Sequence, residues 1–165
     1  MLVAARRARF PAWSSLVAPG RGGIMDINGI AHIQLSVNRF AECRAFYGQL
    51  LPFFDMVPLF DADGFYYCIG GRTGLAISRA EGTASDDRFV QSRVGLHHIC
   101  FRLRSRADVD ALYAFLLTAC AKIVHPPQEA SWAPGYYSVL FEDPDGIRLE
   151  ANFVPGRGHF EKPGT

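Results

Sequence analysis

The sequence predicts an α+β domain of two tandem βαβββ modules, whose strands form a cup-shaped mixed sheet with the helices on its outer face. Two observations predict this fold class: the chain contains an internal repeat, and each copy begins with an alternating strand followed by an amphipathic helix. With 165 residues, of which 49% are hydrophobic and 20% charged, the chain is long enough for one domain with a substantial core.

The repeat becomes visible when Gly29 is placed on Gly95, which aligns the following residues of the two copies without a gap. The identical pairs are Gly29/Gly95, His32/His98, Ile33/Ile99, Ala41/Ala107, Ala45/Ala111, Tyr47/Tyr113, Leu50/Leu116 and Leu51/Leu117. Downstream, GFYYCI matches GYYSVL and GLAIS matches GIRLE, with small length differences in the loops. The chain is therefore expected to be a duplicated unit of one strand, one helix and three strands.

The repeat sets the expected domain organisation. Residues 28–154 form a single domain of two modules, 28–80 and 95–154. Residues 1–27 are a leader and residues 155–165 a tail.

Each element of the modules has its own sequence signal. In the first module IAHIQLSV alternates, Asn38 is the expected helix cap, and apolar residues recur at helical spacing from Phe40 to Leu51. In the second module HHICFRL is followed by a capping box, with Asp108 three residues after Ser105. The motif DPDG predicts a structural turn between two strands, and residues 80–94 and 126–135 are expected to be loops.

The leader is rich in arginine and serine, and residues 1–24 contain no acidic residue. This composition is typical of an organellar transit peptide, but Met25 directly precedes the first strand, so an upstream start would explain it equally well. The four cysteines form no CxxC pair, which favours reduced thiols in a reducing compartment over a disulfide framework. A cytoplasmic protein is expected, with organellar import as the alternative.

Charge and hydropathy exclude two classes of partner. The net charge of +1 lacks the basic excess that a nucleic-acid surface needs, and no apolar run approaches the roughly 20 residues of a membrane span. A small-molecule partner is the expectation that remains.

The alternation of side chains along a strand selects the candidate site residues. His32 and its repeat partner His98 fall on the polar faces of their strands, whereas His97 is expected to face the opposite side from His98. In the last strand Glu150 also falls on the polar face. Two neutral imidazoles and one carboxylate are a typical ligand set for a divalent metal with open positions. The alternative is that these are hydrogen-bonded or solvated strand residues.

The duplicated unit, HIQLSV and HHICFRL as first strands, FYGQLL and VLFEDPDGIRLE resemble the vicinal oxygen chelate superfamily over roughly residues 28–154. That superfamily includes glyoxalase I, fosfomycin-resistance enzymes, extradiol dioxygenases and bleomycin-resistance proteins. The resemblance implies a metal in the cup, with ligands at His32, His98 and Glu150, and frequent homodimerisation. A fourth ligand, used by glyoxalase I, would correspond to Ser78 or an immediate neighbour, which argues against that activity.

The predicted function is a lyase, isomerase or transferase of glyoxalase type, dependent on Zn, Ni, Co, Mn or Fe. The substrate would chelate the metal through two vicinal oxygens, with Glu150, Arg102 and Arg148 as catalytic candidates. Because the two arginines share the polar faces, an anionic substrate is favoured. The alternative is that they are surface or salt-bridged arginines without a role in binding. The alternatives are an extradiol dioxygenase and a metal-free binding protein of bleomycin-resistance type.

Overall fold

The computed structural model describes residues 29–82 and 87–156. The first module contains β1 (His32–Val37), α1 (Phe40–Phe53), β2 (Val57–Ala62), β3 (Phe65–Gly70) and β4 (Thr73–Arg79). The second contains β5 (Ile99–Arg102), α2 (Arg106–Thr118), β6 (Lys122–Glu129), β7 (Tyr137–Glu142) and β8 (Arg148–Phe153). The tandem βαβββ prediction is confirmed, while the predicted leader and residues 157–165 of the predicted tail lie outside the described residues.

The strands form two four-stranded mixed sheets, in the orders β1-β4-β3-β2 and β5-β8-β7-β6. The first strand of each module pairs in parallel with the last strand, and the other pairs are antiparallel. Within the described chain, β1 and β5 are therefore both edge strands.

The helices bury the apolar faces of the sheets, as the alternation predicts. Leu35 and Val37 are buried on β1, whereas His32, Gln34 and Ser36 are exposed. Burying a leucine or valine side chain contributes roughly 1.5–3 kcal/mol, so a one-residue slip of the strand would be costly. The predicted cap of α2 is confirmed, because the Ser105 hydroxyl accepts from the backbone N–H of Asp108 at 3.1 Å.

The predicted cap of α1 is wrong. The N-cap residue is Arg39, with no cap from its own side chain, and Asn38 lies one position earlier. Instead the carboxylate of Asp145 accepts from the backbone N–H groups of Asn38 and Arg39. A negative charge at a helix N-terminus satisfies free N–H groups and interacts favourably with the helix dipole. The cap thus comes from the DPDG turn of the other module.

The turn and the two helices connect the modules within the chain. The Tyr47 hydroxyl on α1 donates to Asp143 at 2.9 Å, and Phe53 stacks on Phe115 of α2 with ring centroids 4.3 Å apart. Desolvation raises the pKa of the buried Asp143 carboxyl to about 6, even though Tyr47 and two backbone N–H groups hydrogen-bond to it. Burial also raises the pKa of Tyr47 well above its usual value.

The second predicted loop is partly wrong, because Pro126 and Pro127 lie within β6. This strand is at the edge of its sheet, and its pairing with β7 is irregular between Ile123 and Gln128. Proline lacks the N–H that a central strand would need, so an irregular edge strand is where it is tolerated. None of the described helices combines the length and the apolar character that a membrane crossing requires.

Candidate metal centre

The described residues place His32 on the polar face of β1, where its side chain is exposed. Its ring contacts Tyr67 on β3 edge to face, with centroids 6.4 Å apart. The Tyr67 ring lies across Gly74, where an added Cβ would come within 2.4 Å of the tyrosine hydroxyl. Glycine at this position therefore makes room for the tyrosine beside His32.

His98 and Glu150 are brought together by the parallel pairing of β5 with β8. His98 Nε2 lies 3.3 Å from Glu150 Oε2. The His98 side chain retains 35% of its exposure and Glu150 retains 13%, so the pair is partly enclosed but reachable from solvent. One imidazole nitrogen and one carboxylate oxygen thus converge on the same small volume.

Tyr136 holds the other oxygen of this carboxylate. Its hydroxyl donates to Glu150 Oε1 at 2.7 Å, which leaves Oε2 directed at His98. Burial, together with this hydrogen bond, raises the pKa of Tyr136, so the hydroxyl remains a donor at neutral pH. Cys100 pairs with Glu150 between the two strands. Desolvation, followed by the negative charge of the Glu150 carboxylate, raises the pKa of the Cys100 thiol to about 12.

Strand alternation predicts that the adjacent histidines face opposite sides, and this prediction is wrong. His97 Nδ1 lies 2.7 Å from His98 Nδ1, with the rings at 74° to each other. Gln91 Nε2 lies 3.2 Å from the same His97 nitrogen. The strand alternation fails here because both histidines precede β5, which begins at Ile99.

The two candidate arginines differ in their surroundings. Arg148 Nε forms an ion pair with Glu142 Oε1 at 2.8 Å. Arg102 is exposed on β5 and its Nη2 lies 3.5 Å from the carbonyl oxygen of Gly156. Arg148 also lines a cleft of about 810 Å³ between α1 and the DPDG turn, which His98 and Glu150 do not line.

The strand registers correct the position expected for a fourth ligand. Gln34 pairs with Ala76 in the first sheet, and its repeat partner Cys100 pairs with Glu150 in the second. Ala76, rather than Ser78, is therefore the structural equivalent of Glu150. A methyl group cannot ligate a metal, so the first module supplies no carboxylate at this position.

The cause of this two-residue error is a misplaced glycine. Matching GLAIS with GIRLE puts Gly74 on Gly146, but Gly74 lies inside β4 whereas Gly146 lies in a turn with φ of 84°. Gly74 has a strand conformation and Gly146 a turn conformation, so the two are not structurally equivalent. Aligning them shifts the following residues out of register.

His32 does not join the other two predicted ligands within one chain. Over residues 29–82 and 87–156, no group of three or more His, Cys, Asp or Glu side chains is arranged so that it could hold a metal ion. His98 and Glu150 form a pair, and His32 stands apart from them on the other sheet. The chain alone thus presents two of the three predicted donors together.

One tyrosine of each adjacent pair borders the site. Tyr136 contacts Glu150, whereas the hydroxyl of Tyr137 donates to Asp110 on α2. In the first module Tyr67 lies beside His32, whereas Tyr66 is buried under the Arg44 guanidinium. Strand alternation requires one tyrosine of each pair on each face, but only the register shows which. Gln91, in a loop, had no sequence signal.

Comparisons with known proteins agree with this architecture. Residues 29–151 match the sequence model of the Glyoxalase/Bleomycin resistance protein/Dioxygenase superfamily. The uncharacterized protein YqjT of Bacillus subtilis strain 168 is 26% identical over 120 residues, which cover 72% of this chain and 94% of YqjT.

Two solved structures extend the comparison. A glyoxalase-like protein from Bacillus halodurans is 26% identical with a TM-score of 0.68, over 77% of this chain and 96% of its own. The fosfomycin resistance protein FosX from Listeria monocytogenes shares the fold, with 19% identity and a TM-score of 0.58 over 78% of this chain and 95% of its own.

Proposed function

Because the chain belongs to the Glyoxalase/Bleomycin resistance protein/Dioxygenase superfamily, we propose that it is a divalent-metal-dependent enzyme of glyoxalase type. Its substrate is a small molecule bound through two vicinal oxygens, and its reaction is a lyase, isomerase or transferase step. The observation that carries this proposal is the convergence of His98 Nε2 and Glu150 Oε2, which lie 3.3 Å apart.

The chemistry of the donor set fits a first-row divalent cation. An imidazole nitrogen and a carboxylate oxygen, with a second imidazole from His32, are ligands that Zn, Ni, Co, Mn and Fe accept. When bound, such a cation supplies positive charge beside the reacting oxygens of the substrate. The hydrogen bond from Tyr136 fixes one oxygen of Glu150 and leaves the other directed at His98, as a supporting residue of a metal ligand commonly does.

The missing donor is the reason to propose a homodimer. In the part of the chain that the structure describes, β1, which carries His32, and β5, which follows His98, are both edge strands. Such an edge is a template for another strand. If β1 of one copy lies beside β5 of a second copy, His32 of the first approaches His98 and Glu150 of the second, and two equivalent sites result.

The proposed roles of the arginines follow from their surroundings. Arg102 is exposed on the same strand face as the site and would contact an anionic group of the substrate. The Nε of Arg148 is held by Glu142, so contact with substrate would use its terminal nitrogens. Glu150 would serve as ligand and as the carboxylate closest to the reacting oxygens.

Metal analysis of the purified protein tests the proposal. We expect wild-type protein, purified without chelator, to contain a divalent metal near stoichiometrically, and His98→Ala to lose it. His125→Ala, a change on the outer edge strand β6, is the matched control and should keep the metal. Absence of metal in the wild type, with no uptake on addition, would refute the proposal and favour a binding protein. Iron with O2 consumption would favour a dioxygenase.

Mixing two variants tests the origin of the third ligand. His32→Ala and His98→Ala homodimers should each bind metal poorly. When they are unfolded together and refolded, a mixed dimer holds one site with all three ligands if His32 comes from the other copy. Recovery of metal binding is therefore expected. No recovery, with mixed dimers demonstrated by mass spectrometry, would place all three ligands within one chain.

A further inference from the structure

His97 is excluded from the proposed ligand set, yet its side chain is hydrogen-bonded to a member of that set. His97 Nδ1 lies 2.7 Å from His98 Nδ1, a distance at which one nitrogen carries the hydrogen and the other accepts it. Heavy-atom positions of this pair alone do not say which. The direction follows from the nitrogen that His98 would offer to a metal.

Gln91 presents its amide nitrogen to His97 Nδ1 at 3.2 Å. Gln91 and His98 thus both contact one nitrogen whose single lone pair does not fully accept two hydrogen bonds, so Gln91 does not fix the tautomer of either histidine. A His98 that bound a metal through Nε2 would carry its one hydrogen on Nδ1 and donate it to His97 Nδ1. In that arrangement His97 is the acceptor that keeps the hydrogen of His98 on Nδ1.

The nitrogen of His98 that would be available to a metal is Nε2. Nε2 is the atom 3.3 Å from Glu150, and it is the nitrogen that would bind a metal. A histidine binds a metal through an unprotonated nitrogen, and a partner for its second nitrogen fixes both the tautomer and the orientation of the ring.

We infer that His97 is a positioning residue for His98. This inference rests on the proposed metal site. The effect of His97 is on the affinity of the site for metal. At a saturating metal concentration a His97 variant is therefore still expected to bind the metal.

Nitrogen NMR of the histidine rings tests the hydrogen positions directly. In metal-free protein His97 Nδ1 should show the chemical shift of an unprotonated nitrogen and Nε2 that of a protonated one. After addition of Zn²⁺, His98 should be protonated on Nδ1 alone. A hydrogen on His97 Nδ1 in either state would overturn the inference. The metal-free spectrum can be measured even if the protein binds no zinc. Failure to bind zinc would refute the proposed function but would leave the hydrogen positions of the two histidines testable.

Zn²⁺ affinity separates positioning from simple electrostatics. Gln91→Glu replaces the donor with an acceptor of the same shape, which should draw the His97 hydrogen onto Nδ1 and weaken zinc binding about tenfold or more. A purely electrostatic role predicts the opposite, because the added negative charge would tighten cation binding. Unchanged or tighter binding would therefore overturn the inference. Gln49→Glu, the same charge change on α1, is the control and should leave affinity unchanged.

Substitution of His97 itself gives the second arm. His97→Phe keeps an aromatic ring but removes the acceptor, and it should weaken Zn²⁺ binding by about tenfold or more. His97→Asn returns an acceptor oxygen and should recover part of this loss. Equal affinity of the Phe variant and wild type would contradict a positioning role, as would equal losses for Phe and Asn in folded protein.

Discussion

The Asp143 carboxyl couples the stability of the protein to pH, and Asp143→Asn should remove that coupling. The carboxyl is 4% exposed, and its pKa is raised from 3.8 to about 6, chiefly by desolvation. A folded-state pKa above the unfolded one means that the folded protein binds the proton more tightly. The stabilisation is fully present below pH 3.8 and is lost as the pH rises through about 6.

The size of the effect follows from the two pKa values. The whole shift is worth about 3 kcal/mol, since each pKa unit corresponds to about 1.4 kcal/mol. Between pH 7 and pH 5 the expected gain is smaller, about 1.3 kcal/mol, because pH 5 still lies above the unfolded-state pKa of 3.8 and the gain continues down to that value. In an Asn variant Oδ1 can still accept from the N–H groups of Asp145 and Ile147, whereas the Tyr47 hydroxyl loses its carboxylate acceptor, a loss that lowers stability equally at both pH values.

Urea unfolding followed by circular dichroism, at constant protein concentration, measures this difference. The wild-type free energy of unfolding should rise by about 1.3 kcal/mol more than that of Asp143→Asn when the pH falls from 7 to 5. Comparing the two proteins cancels the histidines that titrate in the same interval. Parallel pH profiles would refute the reasoning. A wild-type advantage that grows with rising pH would show that the folded protein lowers this pKa.

Two further predictions concern the helix cap and the candidate site. Ser105→Ala removes the acceptor for the Asp108 N–H and should lower the free energy of unfolding by about 1 kcal/mol, whereas Ser105→Asn should restore most of it; equal stability of all three proteins in urea would contradict the cap. Tyr136→Phe removes the hydroxyl that holds Glu150 and should weaken Zn²⁺ binding about tenfold in a calorimetric titration. Tyr137→Phe deletes the same atom on the opposite face and should not; equal losses for the two variants would rule out a specific role of Tyr136.

Local sequence was sufficient wherever the backbone imposes a period. The polar face of β1 and the buried faces of both helices could be predicted because side chains alternate along a strand and recur every three to four residues along a helix. The cap of α2 was predictable for a similar reason, since Ser105 and Asp108 are close in sequence as well as in space.

Features that depend on distant contacts could not be predicted in this way. The cap of α1 comes from Asp145, 106 residues after Arg39, and the contact between His97 and His98 depends on where β5 begins. The register that makes Ala76 the counterpart of Glu150 is set by hydrogen bonds between strands.

The sequence by itself determined the duplicated α+β fold and the polar strand faces that carry His32 and Glu150. The tertiary structure decided that His98 and Glu150 meet while His32 lies apart from them. The physical reason is that periodicity assigns a side chain to a face of a strand, whereas the distance between side chains on different strands depends on sheet order and on how the modules pack.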